Sequence, residues 1–170
     1  MTDIKKIDNF LFDDYFKELK DLVYSGDFSW YYADKTTTHK DDKNYMFSHG
    51  LYYNSINSDF FNKFEPIKYF ISKHIECKKF HRLKLNLYPN QGRRIKHHKH
   101  YDWMNVENKP TKNVKIIILN FTDCNGATVV GDQEIASKAN QAILFKNEQD
   151  HYGITQDDKN IRVVLNIIFE

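Results

Sequence analysis

From residue 82 to residue 169 the sequence is a succession of strand-length runs broken by turn signals, and this texture constrains the fold more than any other feature. In residues 82–88 (RLKLNLY), Leu83, Leu85 and Leu87 alternate with Lys84, Asn86 and Tyr88. That period of two describes an extended strand with one apolar and one polar face. Residues 114–122 (VKIIILNFT), 140–145 and 161–169 (IRVVLNIIF) are further β-branched or apolar runs of strand length. Pro89-Asn90-Gln91-Gly92 and Asn125-Gly126 supply turn chemistry between runs.

The first half reads differently. Phe12, Tyr15, Phe16, Leu19, Leu22 and Val23 share one face at helical spacing, which predicts an amphipathic helix over residues 11–23. Ser25-Gly26 would end it, with Gly26 taking the left-handed cap conformation. A second helical pattern opens at Ser58, read as an N-cap, and runs through Phe60, Phe61, Phe64, Ile67, Phe70, Ile71 and Ile75. Pro66 interrupts it, predicting a kink or two abutting helices. Residues 28–57 are aromatic and polar without clear periodicity, and are read as loops with up to two short strands. Helices followed by strands predict an α+β fold, with helices buttressing a curved sheet or β-sandwich. The expected organisation is one domain over residues 1–170, with a helical and loop buttress at 1–78 and a strand core at 79–170.

With 13 Phe, 11 Tyr and 2 Trp, the chain has ample large side chains for a core. The formal net charge of +2 argues against a protein that coats nucleic acid. That charge is uneven: residues 73–100 carry a net +8, so the rest carries −6. The basic stretch either flanks a site for an anionic ligand or forms a solvated edge. Cys77 and Cys124 have no metal or redox spacing and are read as reduced thiols. No apolar signal-peptide core or membrane-length run appears, which makes a cytoplasmic location the expectation.

The polar positions that do not fit a plain sandwich are the informative ones. If residues 96–102 are extended, His98, His100 and Asp102 share one face. His100 and Asp102 can then bind one ion from neighbouring inward positions. His151, expected at a strand end before Gly153, is the candidate third ligand. Two imidazoles and a carboxylate suit Fe(II) with open coordination positions, although Zn, Mn, Co and Ni also fit chemically. Arg162 shares the polar face of the last strand with Val164 and Asn166. A buried guanidinium there needs an anion, and its planar fork matches a carboxylate.

At these residues the sequence resembles the Fe(II)/2-oxoglutarate-dependent oxygenase superfamily, in its prolyl-4-hydroxylase-like branch and the small oxygenases common in phage genomes. The resemblance runs from about Arg82 to Phe169. Leu87-Tyr88-Pro89 resembles the family's Tyr-Pro turn, and His100-Tyr101-Asp102 its His-x-Asp motif. Asn125-Gly126-Ala127-Thr128 resembles its Gly-Gly-Thr turn, with Ala127 in place of the second Gly. Residues 145–151 resemble the strand leading to the distal His, and Arg162 falls where the family places its co-substrate anchor.

The resemblance implies a double-stranded β-helix (a jelly-roll, cupin-like core) with N-terminal helices against it. It implies Fe(II), 2-oxoglutarate and O₂ as cofactors, with His100, Asp102 and His151 as metal ligands. Arg162 and Tyr88 would bind the distal carboxylate of 2-oxoglutarate. The presence of Asp102, which halogenating relatives replace, favours hydroxylation or demethylation over halogenation. The primary substrate it implies is a protein residue such as proline, or a small molecule.

Other readings accompany this one. His98 is taken as a non-ligand, and His39, His74, His81 and His97 as ordinary polar residues. Asn86 and Asn166 either line a pocket or satisfy backbone groups. A non-enzymatic cupin-like module would use the same three ligands for a structural metal. A jelly-roll isomerase would leave Arg162 unexplained. A nucleic-acid demethylase would draw on the basic stretch, but Val163, Val164 and Leu165 stand where such relatives carry a further Arg. Substrate recognition is expected in residues 28–57, 103–113 and 131–134, because loops on a rigid scaffold carry recognition.

Overall fold

A computed structural model describes residues 4–170. In chain order the elements are β1 (Lys5–Ile7), α1 (Asp13–Tyr24), β2 (Tyr31–Ala33), β3 (Met46–Tyr53), β4 (Ile56–Asn57), α2 (Phe61–Phe64), α3 (Ile67–Ser72) and β5 (Phe80–Pro89). They continue as β6 (Lys115–Asn120), β7 (Cys124–Val130), β8 (Gln133–Ser137), β9 (Ala142–Lys146), β10 (His151–Ile154) and β11 (Ile161–Phe169).

Two antiparallel sheets face each other. The major sheet has the order β1-β9-β6-β11-β5-β3-β2, with β4 beside β3, and the minor sheet the order β10-β7-β8. This two-sheet sandwich, with helices on the outer face of the larger sheet, agrees with the expected jelly-roll. The outer face carries Leu83, Leu85, Val163, Leu165, Ile167 and Phe169, packed with Leu19, Val23, Phe64, Ile67 and Ile71 of the helices. Each such Leu or Ile adds about 1.5–3 kcal/mol by leaving water. The inner face adds Ile116, Ile118, Ile143, Phe145 and Val164, packed with Val130 and Ile135 of the minor sheet. Period two in β5 and β11 therefore separates an apolar layer from an inward face on which the polar residues stand.

Helix α1 opens with Asp13 and Asp14, favourable at the positive end of the helix dipole. Leu19 and Val23, one turn apart, are its buried residues. The predicted left-handed Gly26 is not found: Ser25 closes the helix in an extended conformation (φ −75°, ψ 158°), its N–H donating to the Leu22 carbonyl. Pro66 does divide the second helical pattern into α2 and α3, but Phe60, not Ser58, occupies the cap before α2.

Other expectations are corrected. Residues 28–57 hold an eight-residue strand, β3, inserted in the major sheet beside β5. The first 78 residues are thus not a helical and loop buttress, since β1 and β3 complete the main sheet at either side. Period two fails in β3 because its register against β5 shifts between Gly50 and Tyr52. Asn125-Gly126 is no turn either. It lies inside β7, where pairing with β8 is irregular between Cys124 and Ala127. Among the described residues no helix is long and apolar enough to cross a membrane.

Candidate active site

The site begins at a two-residue junction. Residues 95–104 do not form a regular strand but touch β10 through isolated bridges, Lys96 with Ile154 and His100 with His151. His100 N–H donates to the His151 carbonyl at 3.0 Å and His151 N–H returns the bond at 3.1 Å. This double bond sets the two imidazoles side by side, with ring centroids 4.5 Å apart. Asp102 lies beneath them: His151 Nε2 is 3.2 Å from its Oδ2, and His100 Nε2 is 3.9 Å from its Oδ1. One ligand atom from each of the three residues falls within 4.8 Å of the other two. This is the spacing and donor set of a two-His, one-carboxylate metal site.

Two residues of the main sheet fix the carboxylate. Arg82 Nη2, on β5, donates to Asp102 Oδ1 at 2.6 Å. Asn166 Nδ2, on β11, donates to Asp102 Oδ2 at 2.7 Å. Arg82 Nη2 also reaches Asn166 Oδ1 at 3.1 Å, closing a small network. Such partners orient a ligand and set its basicity. Burial pushes the Asp102 carboxyl up, but Arg82 and then His151 outweigh it and hold it well below the usual carboxylate range. For His100, burial and then the neighbouring His151 depress the imidazole pKa, with Asp102 opposing. Both shifts favour the unprotonated forms that a metal requires.

Arg162 marks the other end of the site. It is 1% exposed, the largest fully buried side chain of the described residues. Its Nη2 donates to Thr128 Oγ1 at 2.9 Å and to Asn120 Oδ1 at 3.4 Å, while Nε has no partner. Among the described residues no carboxylate pairs with it. Tyr88 stands opposite Arg162 in the β5–β11 ladder, its ring centroid 5.8 Å from the guanidinium carbon. Burial raises the Tyr88 phenol pKa, with Arg162 opposing. Gly126 is required here: a Cβ on it would lie 2.9 Å from Arg162 Cδ and 3.0 Å from the Ile154 carbonyl oxygen.

His97 closes the same wall. It is 7% exposed, its ring centroid is 5.2 Å from that of Tyr88, and its Nε2 has no partner. Burial drops its pKa to about 4, against the opposing charge of Asp42 and helped by Arg162, so the ring is neutral at pH 7. Above it lies a loop organised by Asp42, whose Oδ2 accepts four hydrogen bonds from the backbone and hydroxyls of Thr36 and Thr37, at 2.7–3.2 Å. His39 of this loop stacks on His98, with centroids 4.2 Å apart and planes at 9°.

These groups enclose two adjoining cavities. The inner one, about 50 Å³, is lined by Tyr88, His97, His100, Asp102, His151 and Arg162 among others. The outer one, about 290 Å³, is lined by Lys35, Thr38, Ser48 and Tyr101 and shares Thr36, Thr37, Arg82, Lys84, His100 and Asp102 with the inner.

All five residues singled out in the sequence, His100, Asp102, His151, Arg162 and Tyr88, therefore meet at one cavity. The expected facing of residues 96–102 is corrected: His97, not His98, lines it, because the segment bends away from strand geometry between its two bridges. Arg82, Thr128, Asn120, His97 and Asp42 were missed. Arg82 was detectable, since period two places it on the polar face with Lys84 and Asn86. Asp42 was not, because its role depends on loop closure. Residues 35–38 line the outer cavity as expected of a recognition segment, whereas residues 103–113 and 131–134 line neither cavity.

No protein-family model matches the sequence, and no curated protein matches it. Solved structures do. An oxidoreductase of the 2OG-Fe(II) oxygenase family from Burkholderia pseudomallei superposes with a TM-score of 0.73 at 11% identity, over 98% of this chain and 84% of that one. A prolyl-4-hydroxylase from Pseudomonas putida gives 0.67 at 12% identity, over 100% and 93%. The viral collagen prolyl hydroxylase of Paramecium Bursaria Chlorella virus-1, solved with 2OG, gives 0.60 at 15% identity, over 97% and 94%. The chain thus has the fold of the 2OG-Fe(II) oxygenases, including the prolyl-hydroxylase type.

Proposed function

We propose that this protein is an Fe(II)- and 2-oxoglutarate-dependent oxygenase that hydroxylates an as yet unnamed substrate. One observation carries the reading: a fully buried guanidinium, without a carboxylate partner among the described residues, stands at the inner end of a cavity that also holds two imidazoles and a carboxylate. A buried charge is stable only when paired, so Arg162 is built for an anion brought from outside.

His100, Asp102 and His151 fit the metal by donor type and by spacing. The unpartnered Nδ1 of His151 leaves its ring held by the backbone bridge and by packing against Phe145. Bound Fe(II) supplies open positions where 2-oxoglutarate and O₂ react, coupling decarboxylation to succinate with oxidation of a substrate C–H bond. The protein's part is orientation. Arg162 offers its unpartnered Nε and a forked guanidinium to the distal carboxylate, with Thr128 and Asn120 bracing it from behind. Tyr88 and the neutral His97 complete that end without adding charge. Arg82 and Asn166 keep the Asp102 carboxylate turned toward the imidazoles. Thr36 and Thr37, held by Asp42, line both cavities beside the proposed ligands.

A structural-metal module would need only the three ligands, and would leave Arg162 buried at a cost with nothing gained. Anaerobic addition of Fe(II) and 2-oxoglutarate should produce the weak visible charge-transfer band of the chelate, and admitting O₂ should yield succinate. No band, and no succinate above an Asp102→Ala control, would overturn the assignment.

A further inference from the structure

The outer cavity has a chemistry of its own. Lys84 stands on β5 between Arg82 and Asn86, on the inward face, and borders both cavities. Its ammonium has no hydrogen bond or ion pair among the described residues. The acid nearest in function, Asp102, is already held by Arg82 and Asn166. Lys84 is half-buried, and burial followed by the neighbouring Arg82 lowers its pKa to about 8, with Asp102 opposing. The same cavity is lined by Lys35, by the hydroxyl-bearing Thr36, Thr37 and Thr38, and by Ser48 of the neighbouring strand β3, which pairs with Asn86. Among the described residues Asp102 is the only acid in this wall, so the outer space presents the ammonium groups of Lys84 and Lys35 and a set of hydroxyls.

Lys84 is poorly placed to serve the same anion end as Arg162. It pairs with Asn166 in the β5–β11 ladder, whereas Tyr88 pairs with Arg162. Four residues along a strand separate the two positions by roughly 13 Å. Lys84 therefore lies at the end of the strand pair that holds Asn166 and Asp102, and Arg162 at the other end. The outer volume of about 290 Å³ lies near the lower limit for small-molecule pockets.

We propose that the outer cavity binds a small organic carboxylate as primary substrate, with the carboxylate on Lys84 and Lys35 and the oxidisable carbon turned toward His100 and Asp102. This assignment rests on the oxygenase reading above. The ammonium groups supply charge-assisted hydrogen bonds, and the Thr and Ser hydroxyls satisfy the remaining carboxylate lone pairs.

The test uses the full chain loaded with Zn(II), which is redox-inert and diamagnetic, and saturated with 2-oxoglutarate. Ligand-observed saturation-transfer NMR would then compare N-acetylglycine, N-acetyl-L-alanine and N-acetyl-L-leucine with their primary amides and with glycerol 3-phosphate. The acids should bind and the amides should not. Lys84→Met should weaken acid binding about tenfold or more, as expected for a lost charge-assisted contact. Lys84→Arg should keep the preference for acids, and 2-oxoglutarate affinity by calorimetry should be unchanged in both variants. Amides binding as well as acids, phosphate preferred over carboxylate, or no acid binding to the wild type would overturn the proposal. So would a Lys84→Met variant that loses 2-oxoglutarate and keeps the acids. Failure of the wild type to bind 2-oxoglutarate at all would instead strike the oxygenase reading.

Discussion

Arg82 and Asp102, twenty residues apart in sequence, meet at 2.6 Å through a guanidinium and a carboxylate that are 20% and 8% exposed. The carboxylate proposed as a metal ligand is thus pre-paired with a cation from strand β5. The pair stabilises the fold before any metal arrives, and it holds the ligand ionised.

Breaking that pair should be costly. Arg82→Met leaves Asp102 buried with only Asn166 and the imidazoles, and should destabilise the metal-free protein by about 3 kcal/mol at pH 7. The Asp102 pKa is depressed in the folded state, so this stability is present above the unfolded carboxylate pKa and is lost as pH falls through the lower folded value. Denaturant unfolding of both proteins, at pH 7 and again at acid pH, should show the gap narrowing in acid.

Arg162 should behave in the opposite sense. Its charge is buried without a carboxylate partner among the described residues, so Arg162→Met should leave the metal-free protein as stable as the wild type or up to about 3 kcal/mol more so. The same variant should lose about 100-fold or more in 2-oxoglutarate affinity, while Zn(II) affinity changes little. Thermal unfolding and calorimetric titration of each ligand check the two halves separately.

Gly126 tests the bracing of that guanidinium without touching its charge. In Gly126→Ala the new Cβ must displace Arg162 Cδ or the Ile154 carbonyl, both at 3.0 Å or less. The expected result is about tenfold weaker 2-oxoglutarate binding, from a misplaced anchor, with Zn(II) affinity retained. Equal losses of both would show that the damage spreads to the metal ligands.

His97 gives the protein a pH signature. Its folded pKa of about 4 lies below the ordinary histidine value of 6.5, so the unfolded chain binds the extra proton between those values. Its contribution is therefore fully intact above pH 6.5 and is lost as pH falls toward 4, by up to roughly 3 kcal/mol. His97→Gln should flatten this part of the stability profile. An unchanged slope between pH 6.5 and 4 in urea unfolding would show that another group controls it.

Much of this was legible in one dimension. The alternation of residues 82–88 placed Leu83 and Leu85 in the core and Lys84, Asn86 and Tyr88 on the site face, which is how they stand. The last strand likewise separated Arg162, Val164 and Asn166 from Val163, Leu165 and Ile167. Strand periodicity is a local property, and these strands are regular. Where regularity failed, so did the reading. The alternation that would mark the eight-residue β3 is broken where its register slips at Gly50, and Asn125-Gly126 carries turn chemistry because a strand irregularity and a turn favour the same residues.

The sequence by itself determined which chemical groups exist and on which strand faces most of them lie: a His-x-Asp, a later His, a Tyr and an Arg on the polar side of an antiparallel core. The pairings come from packing between distant segments: His97 rather than His98 lines the cavity, Asp102 meets Arg82 and Asn166, and Asp42 holds Thr36 and Thr37 at the cavity wall. The reason is physical: a strand's period is set by bonds within the chain. Which buried charge meets which partner depends on the approach of segments tens of residues apart, and on the cost of leaving either one alone.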